Sequence, residues 1–68
     1  MATIKKMILE ALEKKYDAEI AEADATLKVY LENPVGVGEH IDIVETVDKE
    51  MQKISKAKEM LDELANWR

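Results

Sequence analysis

The sequence predicts an all-α protein, a two-helix antiparallel hairpin that assembles into an oligomeric helical bundle. Two stretches, at about residues 3–32 and 41–65, contain neither glycine nor proline, and their apolar residues recur every three or four positions. Both glycines and the single proline lie between them, in the sequence NPVGVGEH at residues 33–40, which we call the joint. This pattern is typical of two helices separated by one connection. Residues 1–68 are therefore predicted to form a single helical-hairpin domain.

The first helix is predicted over about residues 3–32. Thr3 is suited to cap its N-terminus, because a threonine hydroxyl can accept a hydrogen bond from a backbone N–H of the first turn. Asn33 precedes Pro34, and a residue before proline disfavours the helical conformation, so we expect the helix to stop near Glu32. Its main apolar stripe is predicted to form one side of the hairpin seam, the contact between the two helices: Leu9, Leu12, Tyr16, Ile20, Ala23, Leu27 and Tyr30.

The second helix is predicted over about residues 41–65, with its start between Glu39 and Asp42. Asp42 and Glu45 have the spacing of a capping box, and His40 is an alternative cap. We expect the helix to end near Ala65, with residues 66–68 either fraying or docking. Its side of the hairpin seam is predicted to consist of Ile43, Val47, Met51, Ile54, Ala57, Leu61 and Leu64. Similar helix lengths and a short joint favour an antiparallel hairpin over one continuous helix.

The first helix carries a second apolar face, which we call the outer face. With residues placed 100° apart it lies roughly opposite the seam and contains Ile4, Met7, Ala11, Ala18, Ala25 and Val29. One helix cannot cover both faces. The outer face is therefore either solvated, as nearby Lys15 and Glu22 would suggest, or covered by another copy of the chain. We favour the second interpretation, in which alanines let two backbones approach closely and hairpins assemble into a homodimer, such as a four-helix bundle, or a higher oligomer.

Composition supports a need for self-association. The chain has 68 residues, no cysteine and one histidine. A domain this small buries only about 60% of its unfolded surface, and without cysteine neither a disulfide nor a Cys-based zinc site can reinforce it. The net charge of −5 argues against direct binding to nucleic acid or to an anionic membrane. No apolar run reaches the roughly 18 residues of a membrane span, so we expect a soluble, cytoplasmic protein.

The charges separate along the predicted hairpin. Residues 1–15 and 51–68 carry net charges of +2 and +1, whereas residues 16–33 and 34–50 carry −4 each. Folding the chain at the joint therefore gives a rod with an acidic joint end and a basic terminal end. Opposite charges attract neighbouring rods head to tail. We predict antiparallel pairing of hairpins, with Lys5, Lys6, Lys14 and Lys53 near the acidic half of a partner copy.

The joint is either only a connection or also a binding site. Its proline and glycines suit a helix break. Two valines do not fit a purely solvated turn and either fold back as a cap over the hairpin core or contact a partner. The predicted partner contact consists of Val35, Val37, Glu39 and His40. A phosphate cradle is disfavoured because no lysine or arginine lies between Lys28 and Lys49. A metal held by Glu39, His40 and Asp42 is disfavoured because three such close positions rarely converge on one ion.

Catalysis and cofactors are not predicted. One histidine, the single serine Ser55 and no cysteine cannot form a serine triad or a thiol nucleophile within one chain. A carboxylate di-metal centre would require Glu-x-x-His motifs on facing helices, and the sequence has none. We therefore predict that the chain is not an enzyme and has no cofactor and no metal site.

The stretch NPVGVGEHIDIVETVDKEMQKISKAKEMLDEL resembles a small, uncharacterised helical-hairpin protein family of T4-like tailed phages, including those that infect marine cyanobacteria. The resemblance covers roughly residues 30–64, about half the chain. Relatives often have proline after the histidine, where this chain has Ile41. The family has no assigned activity, so the resemblance implies a phage origin and the cytoplasm of an infected cell, without a mechanism.

Three functional hypotheses follow. The leading one is a non-enzymatic protein that self-associates and binds another macromolecule, a host or phage protein, through its acidic joint end. The first alternative is an oligomer that binds or sequesters a small ligand such as a nucleotide, with Lys49, Lys53 or Lys56 of neighbouring copies supplying positive charge. The second alternative is an acidic mimic of nucleic acid that occupies the basic groove of a host protein.

Overall fold

The computed structural model describes residues 3–32 and 42–68, which form two α-helices that pack against each other. Helix α1 spans Ile4–Glu32 and helix α2 spans Ile43–Ala65. The helices run antiparallel, since Arg68 at the end of α2 bonds to Glu13 in the first half of α1. Within the described ranges all regular structure is helical. The predicted all-α, two-helix hairpin is thus confirmed.

The hairpin is a rod. Its principal extents are 52 × 18 × 17 Å and its radius of gyration is 15.7 Å. A compact domain of this length would have a radius of gyration of about 11 Å. The difference arises because the described residues form two long helices that share one line of contact, and no third element of that part of the chain folds over them.

Local capping sets the start of α1. The backbone N–H of Lys6 donates to Thr3 Oγ1 at 3.1 Å, and the N–H of Met7 donates to the Thr3 carbonyl at 3.0 Å. These bonds satisfy N–H groups that have no partner inside the helix. Thr3 is therefore the N-cap that the sequence predicts, and α1 ends at Glu32, the predicted last residue.

Asp42 caps α2. Its backbone is extended, with φ −74° and ψ 100°, and its Oδ1 accepts a hydrogen bond from the N–H of Glu45 at 3.0 Å. The helix consequently begins at Ile43, slightly later than the predicted start near residue 41. The opposite end agrees with the predicted limit at Ala65: beyond it, the N–H of Asn66 donates to the Glu63 carbonyl and the N–H of Trp67 to the Leu64 carbonyl, each at 3.0 Å.

The buried core is small. Among the described residues, the buried hydrophobic side chains are Ala23, Leu27, Ala57 and Leu64. Ala23 and Ala57 retain 1% exposure each, and their small side chains allow the helices to approach closely. Nine other predicted seam residues are half-buried: Leu9, Leu12, Tyr16, Ile20, Tyr30, Ile43, Val47, Ile54 and Leu61. The hairpin seam therefore shields most of its side chains on one side only.

Met51 departs from the predicted seam. Its side chain is 50% exposed, whereas Glu50 beside it is half-buried. Residues 43, 50, 57 and 64 recur at seven-residue intervals and lie nearly in line along the centre of the contact, and Met51 is displaced from that line by about 100°. The angular positions of the two residues on α2 therefore place the methylene groups of Glu50 inside the contact and Met51 at its margin.

Neither of the two described helices is both long enough and apolar enough to cross a membrane.

Candidate self-association and partner-binding surfaces

The outer face of α1 is open to solvent along its length. Its alanines, Ala11, Ala18 and Ala25, are exposed, and its larger side chains retain high exposure, at 78% for Ile4, 59% for Met7 and 58% for Val29. Helix α2 contacts the opposite side of α1 and covers none of these residues. The structure thus brings the predicted outer-face residues onto one uncovered, largely apolar surface.

Ile8 extends this surface beyond the predicted set. It is 53% exposed and lies one helical position from Met7. Sequence reasoning left Ile8 out because its angular position falls between the two apolar faces of α1. Its exposure shows that it belongs to the uncovered side.

The exposed surface is large for the mass of the chain. The solvent-accessible surface is 5539 Å², whereas a folded monomeric protein of 7.7 kDa exposes about 4300 Å². The excess, about 1200 Å², exceeds the roughly 800 Å² that one partner contributes to a standard protein interface. Pairing with a second copy would therefore bring the exposed area per chain close to that of an ordinary monomer.

An open cleft of about 610 Å³ runs along one side of the hairpin seam. Ala23 and Ala57, each 1% exposed, are among the residues that line it. The other residues of the cleft wall alternate in charge and include one aromatic ring: Lys15, Tyr16, Glu19, Glu22, Thr26, Glu50, Lys53, Lys56 and Met60. The lysines and the glutamates are equal in number, so the cleft has no net charge with which to concentrate an anion.

Glu50 and Lys53 form the best-defined ion pair of this cleft. Lys53 Nζ lies 3.0 Å from Glu50 Oε1, and the Glu50 side chain is only 14% exposed. The hydrogen bond to Glu50, its negative charge and the more distant charge of Glu22 together raise the pKa of Lys53 above its ordinary value. Lys53 is thus held in its protonated form by its own chain. Apolar periodicity does not identify Glu50, although its seven-residue spacing from Ile43 and Ala57 marks the position.

The terminal end of the rod is basic and ordered by the last residues of the chain. Arg68 Nη2 donates to Glu13 Oε2 at 2.7 Å, and Trp67 Nε1 donates to Glu63 Oε2 at 3.0 Å. Arg68 therefore docks on α1, one of the two predicted outcomes for residues 66–68, whereas Trp67 bonds to its own helix and stays 62% exposed. A smaller cleft of about 400 Å³ opens here between Thr3, Lys5, Lys6, Leu9, Glu10, Glu13 and Arg68.

The opposite end of the rod is acidic where it is described. Lys28 and Lys49 each lie within 3.2 Å of a carboxylate one turn earlier, Asp24 and Glu45 respectively. Glu32 and Asp48 are exposed, as are the apolar Leu31 at 59% and Val44 at 80%. The predicted partner-contact residues Val35, Val37, Glu39 and His40 lie outside the described residues.

Residues 3–32 and 42–68 contain no cluster of three or more histidine, cysteine, aspartate or glutamate side chains that could hold a metal ion. Of the disfavoured metal set, Asp42 is described, and its carboxylate accepts the capping bond of α2. Glu39 and His40 lie outside the described residues.

Comparison with known proteins adds no relative. No family model matches the chain, and neither the curated proteins nor the solved structures contain a match. The function has therefore to be inferred from the surfaces of the hairpin itself.

Proposed function

We propose that the chain is a non-enzymatic helical-hairpin protein that self-associates through the outer face of α1 and presents its acidic joint end to another macromolecule. The observation that carries the first part is the uncovered apolar side of α1, opposite the contact with α2. Ile4, Met7 and Val29 each keep more than half of their area exposed.

The area of the rod supports self-association over a solvated monomer. Four buried hydrophobic side chains form the core among the described residues, and two long helices must be ordered around them. Ordering costs about 1.5 kcal/mol per residue, whereas buried apolar area returns about 25 cal/mol per Å². A second copy on the outer face would bury further apolar area without ordering any new element of the same chain.

Two double variants test this surface. Met7→Gln with Val29→Gln removes apolar area from the outer face without adding charge. Val44→Gln with Met51→Gln makes the same two changes on exposed positions of α2 and is the matched control. Four truncated contacts per symmetric pair, at about 0.7 kcal/mol or more each, should weaken association at least 100-fold for the first variant. Molar mass by light scattering over a concentration series measures the change.

The expected result is dissociation of the Met7/Val29 variant at concentrations where the wild type and the Val44/Met51 variant remain associated. Equal behaviour of the two variants would remove the outer face from the proposal. A monomeric wild type would remove self-association altogether.

The second part of the proposal concerns the joint end. It is supported by the exposed acidic residues that flank the joint and by Lys28 and Lys49, whose charges are already paired with Asp24 and Glu45. A partner with a basic surface would be attracted to such an end, most strongly at low salt. The resemblance to phage proteins supports a host or phage protein as the partner, in the cytoplasm of an infected cell.

Replacing Val35 and Val37 with serine tests the joint end separately. We expect the oligomer mass to be unchanged and salt-sensitive capture of a basic partner from host lysate to fall, with Met51→Gln, two turns into α2, as control. A variant that loses its oligomer instead would show that the joint is structural. Competition between DNA and the wild type for the same captured protein would identify the nucleic-acid mimic.

A small-ligand function is the second candidate: the open 610 Å³ cleft has room for a small ligand, and a neighbouring copy would supply the positive charge that the cleft lacks. Lys15 and Lys56 lie on its wall in addition to the paired Lys53, and Tyr16 offers a ring for stacking. A nucleotide that raised the melting temperature of the wild type, but not that of a Lys15→Gln, Lys56→Gln variant, would establish this function. No shift with any nucleotide would exclude nucleotides as the ligand of this cleft.

A further inference from the structure

Charged residues on the outer face of α1 are placed so that they favour one orientation of pairing between two copies. This inference rests on the proposed self-association and specifies the orientation and register of the pair. Along the centre of the face, Ile4, Ala11, Ala18 and Ala25 follow one another at seven-residue intervals and lie nearly in line on the helix. Bulky exposed side chains stand towards the two ends, whereas alanines occupy the middle.

One margin of this face carries Lys15 and Glu22, both exposed. They are seven residues apart and stand on either side of Ala18, three positions before it and four positions after it. In an antiparallel pair centred beside Ala18, Lys15 of each copy faces Glu22 of the other. In a parallel pair this margin would instead face the opposite margin of the partner, so Lys15 of one copy would not meet Glu22 of the other.

The other margin repeats the arrangement. Glu10 and Lys28 are both exposed and lie at the same angular position on α1, eight residues before Ala18 and ten after it. Lys28 already contacts Asp24 at 3.2 Å, and Glu10 of a second copy would join that pair from across the interface. Both margins thus agree on one orientation and on one register to within a residue.

Apolar contacts agree with the same register. An antiparallel pair centred beside Ala18 sets Met7 of one copy opposite Val29 of the other, and Ala11 opposite Ala25. The alanines fill the middle of the interface, where helix axes that approach to about 8 Å leave room for small side chains only. Bulky residues then meet near both ends, where they bury the exposed area described above.

We propose that α1 pairs with α1 of a second copy in antiparallel orientation, about a two-fold axis that passes beside Ala18. Such an interface is self-complementary, because every contact occurs twice. It leaves both acidic joint ends at opposite extremes of the pair, each beside the basic terminal end of the other copy.

Single cysteines test the geometry directly, since the wild-type chain has none. A disulfide requires Cα atoms within about 7 Å. Ala18→Cys should therefore cross-link with itself under mild oxidation. Ala11→Cys and Ala25→Cys should each fail to cross-link alone, because their symmetry mates lie about 20 Å away, but a mixture of the two should cross-link. Ser55→Cys, exposed on α2, measures collisional oxidation.

The result that supports the proposal is cross-linking well above the Ser55 control for Ala18 alone and for the Ala11 and Ala25 mixture. Self-linking of all three α1 variants would show parallel pairing and overturn the proposal. Cross-linking at the control level in a protein that light scattering shows to be associated would also overturn it, while leaving self-association intact. Cross-linking at the control level in a monomeric protein would remove the proposed function as well.

Discussion

Arg68 Nη2 donates to Glu13 Oε2 at 2.7 Å, which ties the last residue of the chain to the first half of α1. This bond fixes the register of the two helices, whose contact buries Ala23 and Ala57 to 1% exposure each. Both partners of the ion pair are about half exposed, with side-chain exposures of 50% and 42%. Exposed pairs contribute about 0.2–1 kcal/mol, so the bond guides the register more than it stabilises the fold.

Arg68→Ala should accordingly lower the free energy of unfolding by no more than about 1 kcal/mol. Urea unfolding at a fixed protein concentration measures it, because self-association makes apparent stability depend on concentration. In the Glu13→Gln background, Arg68→Ala should lower the free energy of unfolding little further, because the ion pair is already lost. Additive losses in the double variant would show that the two side chains do not interact in solution.

Ala57→Leu should destabilise the hairpin by about 1–3 kcal/mol, since Ala57 is 1% exposed and a larger side chain must push the helices apart. Ala65→Leu makes the same change at an exposed position near the end of α2 and should be nearly neutral. The urea midpoints of both variants give the comparison. Equal stability of the two would mean that the helices do not approach closely at Ala57.

Asp42→Ala removes the N-cap of α2 and should cost about 0.5–2 kcal/mol. Asp48→Ala is the control: Asp48 accepts a bond from Gln52 at 2.9 Å on the exposed surface, and such a pair contributes about 0.2–0.5 kcal/mol. Thermal unfolding followed by circular dichroism compares them. If Asp48→Ala cost as much as Asp42→Ala, the capping account of the helix start would be wrong.

Reversing one charge on the outer face should weaken self-association, and reversing both charges of a pair should restore it. Lys15→Glu and Glu22→Lys should each raise the dissociation constant several-fold, because each creates two like-charge contacts of about 0.2–1 kcal/mol per symmetric pair. The double variant exchanges the charges and should return to near the wild-type value. Lys58→Glu, on exposed α2, is the control. Losses that add in the double variant would count against the antiparallel register.

The ion pair of Lys53 and Glu50 should make stability fall in strong alkali. The hydrogen bond and charge of Glu50 raise the pKa of Lys53 above 10.5 in the folded state. The contribution of the pair is therefore fully present below the ordinary lysine pKa and is lost as the pH rises through the raised value. Urea midpoints at pH 9 and pH 11 should differ more in the wild type than in Glu50→Gln, with Glu59→Gln behaving as the wild type. The same pH dependence in all three would exclude this pair as the cause.

The fold was largely predictable because its determinants are local. Thr3 and Asp42 accept hydrogen bonds from backbone N–H groups three residues further along, and a residue before proline disfavours the helical conformation, so short stretches of sequence predict the helix limits to within about two residues. The start of α2 was the least certain limit, since His40 and Asp42 are both able to cap and the choice between them depends on backbone conformation.

Contacts between the helices were harder to predict. Periodicity identifies an apolar stripe but does not say which residues lie at its centre, so Met51 was placed where Glu50 lies. The bond between Arg68 and Glu13 joins residues 55 positions apart and depends on the register of the hairpin, which no short-range pattern contains. Sequence periodicity predicts the outer face, but the solvent exposure of its residues depends on where α2 packs and is given only by the structure.

Molar mass in solution across a dilution series tests the central claim most directly. The uncovered side of α1 predicts a species of at least twice the 7.7 kDa chain mass. On dilution this species should dissociate, and cooperative thermal unfolding should be lost over the same concentration range. A 7.7 kDa monomer that still melts cooperatively at micromolar concentration would contradict the account.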